Sequence, residues 1–145
     1  MSTTMADAGL VGLGSEATTP TGPQDTGEAR RLISADKVEG TAVYNKAGER
    51  LGTVEDIMLD KISGKVAFAV MSFGGFLGIG EKYHPLPWSA LHYDIQQGGY
   101  VVDMTREQLE GAPSYGTDEN VDLNDDVYGR RVYDYYKAPY WNAGI

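Results

Sequence analysis

Cysteine is absent from this chain. That excludes disulfides, thiol nucleophiles and Cys-ligated zinc or iron–sulfur centres, and it fits a reducing compartment. Positive charge is scarce. Twelve Lys and Arg stand against 21 Asp and Glu, for a formal net charge of −9. Nucleic acid is bound through clustered Lys and Arg that release counterions, so it is disfavoured as a partner. Direct adsorption to an anionic bilayer also needs a basic patch. Long apolar runs are missing as well. Val66–Met71 is the longest near the middle, strand-sized and far short of the about 18 residues a membrane span requires. The opening residues, Met1 to Ala8, carry no basic stretch leading into an apolar run, so no secretory signal is expected. The expectation is a soluble, cytoplasmic protein.

Large apolar residues are rare over residues 1–29, which are rich in Ala, Gly, Thr, Ser and Pro. Such a segment buries too little surface to offset its ordering entropy, and disorder is expected there. A folded domain is expected over residues 30–112. Ser34 is placed to cap a brief turn, with Leu32 and Ile33 anchoring it. Strands follow at Thr41–Tyr44, Arg50–Asp60, Lys65–Phe73 and Lys82–Leu86, then a hairpin of His92–Ile95 with Tyr100–Met104. The turns Asn45–Gly48 and Lys61–Gly64 each end on a glycine free to take positive φ. The long second strand is mixed on both faces, which suggests a bulge near Glu55-Asp56. The third is apolar on both faces and should be central. Pro87–Leu91 reads as a single helical turn. Thr105-Arg-Glu-Gln108 is a capping box opening a short helix to Glu110. About six short strands turned this sharply predict a mainly β fold, a small barrel. Phe68, Val70, Ile57, Leu59 and Trp88 are the expected core.

Residues 113–145 change character, first acidic, then aromatic. Tyr128, Tyr133, Tyr135, Tyr136, Tyr140 and Trp141 crowd into 14 positions. Aromatics bury much area at modest entropic cost and favour interfaces. The extension is therefore expected to be an extended tail docked on its own barrel or on a neighbouring subunit.

The stretch Ser72 to Trp88 stands out, because its glycine-rich loop is apolar where loops are usually polar. Phe76, Leu77 and Ile79 must tuck under the fold or meet a partner. A phosphate loop is excluded by Glu81 before Lys82 and Tyr83 after it. Glu55 and Asp56 point to opposite faces of a strand. Asp56 and Asp60 lie four residues, roughly 13 Å, apart, too far for paired-carboxylate chemistry. His84 and His92 look like packing residues, and no metal site is expected. Asp122-Leu-Asn-Asp-Asp126 begins like a calcium loop, but Val127 replaces its turn glycine and Tyr133 its closing Glu. No nucleophile, base and acid converge.

The middle of the chain resembles the PRC-barrel family. The resemblance rests on Gly40–Tyr44, Gly48–Asp60, Gly64–Met71, Gly74–Lys82 and Leu86-Pro-Trp88, within about residues 31–110. It implies the β-barrel found in the photosynthetic reaction-centre H subunit, in a ribosome-maturation factor and in stand-alone bacterial proteins, the last being nearest. What it implies is an adaptor role without catalysis and without a cofactor. The expected function is protein interaction and self-association as a homo-oligomer, through Phe76, Leu77 and Ile79 of the loop and Tyr133, Tyr136, Tyr140 and Trp141 of the tail. The alternatives are a reaction-centre-H-like module touching a membrane protein complex or binding a quinone-like ligand beside Phe73, Phe76 and Trp88, and a ribosome- or RNA-associated factor, which the charge opposes.

Overall fold

The computed structural model describes residues 31–74 and 80–142. The segment expected to be disordered and the loop residues Phe76, Leu77 and Ile79 lie outside them. The chain divides into two units, Met1–Ile33 and Ser34–Ile145, and every helix and strand described belongs to the second.

Helix α1 (Ala35–Val38) has Ser34 at its N-cap position without a side-chain cap bond. Leu32 and Ile33 are exposed, so they are not the anchors the sequence suggested; Val38, buried at the helix end, is. The strands are β1 (Ala42–Tyr44), β2 (Arg50–Leu59), β3 (Val66–Phe73), β4 (Lys82–Leu86), β5 (Leu91–Asp94), β6 (Gly99–Val102) and β7 (Tyr115–Gly116). They form one sheet in the order β5-β6-β1-β2-β3-β4-β7. Among the described strands only β1 and β6 pair in parallel, where the last hairpin returns beside the first strand. The six expected strands are all present, and β7 is an addition of two residues.

The sheet curls for a reason of length. In a flat sheet five strand spacings of about 4.8 Å would hold β4 roughly 24 Å from β5. The chain crosses from Leu86 to Leu91 in five residue steps, at most roughly 18 Å fully extended. Three of the linking residues are wound into a 3₁₀ turn, Trp88–Ala90, which shortens the reach further. The strands must therefore close toward a barrel. Its interior holds Val43, Leu51, Val54, Ala69, Met71, Leu86, Leu91 and Val102, sealed by Leu109. That leucine comes from α2 (Arg106–Glu110), which opens with the expected capping box. Thr105 Oγ1 accepts from Gln108 N at 3.0 Å, and Gln108 Oε1 accepts from Thr105 N at 2.9 Å.

Strict alternation along β2 fails because of bulges. Relative to β3, Glu55 is an extra residue between Val54↔Met71 and Asp56↔Val70, the place the mixed pattern suggested. Against β1, Leu51 is extra as well. Each insertion shifts the pleat by one, so Leu51, Val54 and Ile57, three apart, all reach the barrel interior. A third irregularity follows Met58, with Leu59 pairing to Val66. Leu59 turns outward and is 54 % exposed, a correction to its placement in the core. Ile57 and Trp88 are half-buried against the interior, and Phe68 and Val70 are buried.

The C-terminal segment is not extended. Helix α3 (Asp126–Tyr135) is capped by Asp125, whose side chain accepts from Val127 N. It ends with Lys137 at φ +57, where Ala138 N donates to Tyr133 O and Lys137 N to Asp134 O. This is the paired bonding of a Schellman stop. The helix buries Gly129, Val132 and Tyr133. With Tyr136 they follow the i, i+3, i+4, i+7 spacing of one helical face.

Candidate partner-binding surface

The surface begins with β3. Its odd positions, Ala69, Met71 and Phe73, fill the barrel. Alternation then turns Phe68 outward, where an aromatic ring needs cover. Residue Ala67 is the extra one at the last irregularity of the β2–β3 ladder, since Met58 pairs Phe68 and Leu59 pairs Val66. A bulged residue is left without a ladder partner. Helix α3 answers both needs. The Tyr133 hydroxyl donates to the Ala67 carbonyl, and its ring meets Phe68 edge-on at 5.5 Å. Burial first, and then Tyr140 nearby, pushes the Tyr133 phenol up to about 12.

Tyr140 returns from beyond the helix to pack against Tyr133 at 5.1 Å. Its hydroxyl donates to Asp126 Oδ1 at 3.2 Å, and the Arg130 guanidinium lies over its ring at 4.5 Å. Gly129 makes this closure sterically acceptable, because a Cβ there would stand 2.6 Å from Tyr140 Oη and 3.2 Å from Phe68 Cζ. Trp141 is half-buried beside Tyr140, ring centroids 6.0 Å apart. Tyr136 is half-buried and touches both the barrel interior and this outer cluster. Its hydroxyl is buried without a partner, and burial drives its phenol strongly upward. The structure thus gathers Tyr133, Tyr136, Tyr140 and Trp141 in one cluster. Tyr133 and Tyr140 spend most of their surface inside the chain, while Trp141 borders solvent.

A groove runs between this aromatic turn and the β2–β3 hairpin. Met58, Phe68 and Leu123 lie in it, Tyr140 and Trp141 form one wall, and Leu59 and Ile62 the other. Ile62 is 91 % exposed. Sequence reading passed over Ile62 as part of a turn. The available signal was its type, since turn positions favour Gly, Pro, Asn, Asp and Ser, not a β-branched apolar residue.

The remaining candidates are absorbed locally. Asp60 Oδ2 accepts from Ser63 N at 3.0 Å and Asp56 Oδ1 from Ile57 N at 2.8 Å. Asp122 Oδ1 holds Asn124 N and Nδ2, so that stretch works as a turn and helix cap. His84 is buried with Nδ1 unpartnered and stacks edge-on with Phe73 at 5.2 Å. Desolvation, then Lys82, lowers it to about 4. His92 is exposed. Among the described residues no three His, Asp or Glu side chains are grouped to hold a metal, and no helix is long and apolar enough to cross a membrane. Phe73 lies in the barrel interior under Arg106 at 5.5 Å. Trp88 packs on Tyr100 at 5.5 Å.

Residues 31–109 match the family model for the PRC-barrel domain. The chain belongs to the PRC-barrel family. An uncharacterised protein of Deinococcus radiodurans is 24 % identical over 80 residues, which are 55 % of this chain and 28 % of that protein. The PRC-barrel chain therefore aligns with little more than a quarter of that relative's length. Among solved structures, RimM from Pseudomonas aeruginosa, described as a 16S ribosomal RNA processing protein, is 18 % identical with a TM-score of 0.36. That match covers 52 % of this chain and 45 % of RimM. The groove's aromatic wall, residues 140 and 141, lies beyond the family-matched segment.

Proposed function

We propose that this PRC-barrel is a non-catalytic, cytoplasmic protein-interaction module that holds a partner in the groove between the aromatic turn and the β2–β3 hairpin. The observation that carries this reading is the exposure of Leu59 and Ile62 opposite Trp141. Contiguous apolar surface rimmed by polar groups marks contact sites, and an aromatic wall supplies a rigid anchor at low entropic cost. Phe76, Leu77 and Ile79 stay in the proposal as a second contact, on sequence grounds alone. The acid balance of the chain argues against a nucleic-acid partner.

The test uses cross-linking and mass spectrometry in the native host with the tagged full chain and its Leu59→Ser/Trp141→Ser variant. The expected result is a defined set of cross-linked chains recovered with the wild type and depleted at least about tenfold with the variant, which matches about 1.4 kcal/mol. Equal recovery by both proteins would remove the groove from the interaction.

A further inference from the structure

We infer that the occupant of this groove is a second copy of the same chain, docked about a two-fold axis with Ile62 of each protomer inserted into the groove of the other. The inference rests on the interaction reading above and names its partner. A two-fold interface is isologous, so the surface must be complementary to itself: a knob and a matching hole on one patch. Both are present. Ile62 projects from the hairpin tip and at the same time borders the hollow over Phe68.

The knob is rigid. Asp60 N donates to Lys65 O at 2.8 Å, Gly64 N to Asp60 O at 2.7 Å, and Lys65 N to Ser63 Oγ at 3.1 Å. Gly64 sits at φ +81, a left-handed turn geometry that suits glycine. A turn this fully bonded pays little ordering entropy on docking. Its apolar tip is therefore displayed, not left over by a slack loop.

Charge selects the same occupant. Ile62 is flanked by Lys61 and Lys65, both exposed, and neither is in an ion pair among the described residues. In the groove, across from the hairpin, Asp126 is exposed at the start of α3. Two-fold docking would set each lysine pair near the partner's Asp126, twice over. Two copies of a chain with net charge −9 otherwise repel, so local pairing of this kind decides register and rate of encounter.

The experiment is sedimentation equilibrium on the full chain, with Ile62→Asp, Lys61→Glu/Lys65→Glu and Lys46→Glu variants. Lys46 pairs with Asp103 in the turn at the far end of β2 and serves as the control. The wild type and K46E should weigh twice the 15.7 kDa protomer. I62D, at an exposed turn position, should keep the wild-type circular dichroism, and the wild-type urea midpoint at dilutions where both proteins are monomeric, while its dimer dissociation constant rises at least about 30-fold. The double lysine reversal should weaken the dimer in the same direction. A wild type that stays monomeric, or a dimer indifferent to both hairpin variants, overturns the inference. If a monomeric wild type still cross-links a foreign chain through Leu59 and Trp141, only the second-copy inference falls. If it cross-links none, the interaction reading falls with it.

Discussion

The imidazole of His84 is buried with no partner for its Nδ1. It is held at about 4 when folded, against 6.5 unperturbed. Between those values the unfolded chain binds a proton that the folded chain refuses, so stability falls as pH falls. The stabilisation is complete above about 6.5 and is lost progressively down to about 4, a change on the order of 3 kcal/mol. Asp60, Asp94 and Glu49 are lowered carboxylates, whose contribution is lost only as pH drops below the ordinary carboxylate range. The window from pH 6.5 to 5 therefore belongs mainly to buried histidine. Urea unfolding of the wild type should weaken steadily across it, while His84→Leu, similar in volume and without a titrating group, should be nearly flat. A wild-type curve that is flat over the same range would mean that the imidazole finds water or a partner on protonation.

At the scale of elements, Gly129 shows why α3 was hard to read. Gly, two valines and three tyrosines in its ten residues argue against helix by propensity, and the sequence by itself reads as an extended tail. Tertiary contact reverses this, since Gly129 is where Tyr140 and Phe68 close on the helix. Replacing it with Ala sets about 1 kcal/mol of helix propensity against about 1–3 kcal/mol of overpacking. The expected outcome is a net loss of about 1 kcal/mol in denaturant unfolding. In a Tyr140→Phe background, where the hydroxyl 2.6 Å from the new Cβ is gone, the loss should shrink. A stabilised Gly129→Ala protein would mean that Tyr140 swings aside at no cost. The i, i+3, i+4, i+7 spacing of Gly129, Val132, Tyr133 and Tyr136, with Asp125 before it, was legible and would have marked the helix. The six strands, both glycine turns, the Glu55 bulge and the Thr105 capping box were legible too, because each depends on local chemistry. Leu59 was not, because its direction is set by a slip in pairing with Val66 on the neighbouring strand, context that no single strand carries. The wall of the groove was half legible: its aromatics announced a docking surface, but Ile62 gained meaning only once the hairpin and α3 stood side by side.

At the scale of the molecule, the chain has a barrel and a second layer outside it. The family-matched segment ends at residue 109, yet β3 is apolar on its outer face as well, with Phe68 and Val70 buried. What covers them lies later in the chain: Tyr133 and Tyr140 over Phe68, and Tyr115, Val121 and Leu123 around Val70. A chain ending at Pro113 would keep the interior cluster almost intact and uncover that face. Two such side chains returned to water correspond to roughly 3–6 kcal/mol, a large part of the stability of a small domain. The shortened chain should therefore retain a β-type circular dichroism spectrum at low temperature, unfold at a clearly lower urea concentration, and bind a hydrophobic dye that the full chain ignores. It should also associate through the bare strand face, and Phe68→Ser should abolish that association while Ile62→Asp leaves it untouched. That contrast separates adventitious sticking of an uncovered β3 from docking through the hairpin knob. If the shortened chain is as stable as the full one and stays clear of the dye, the outer face does not depend on α3, and the groove loses the floor on which its proposed occupant sits.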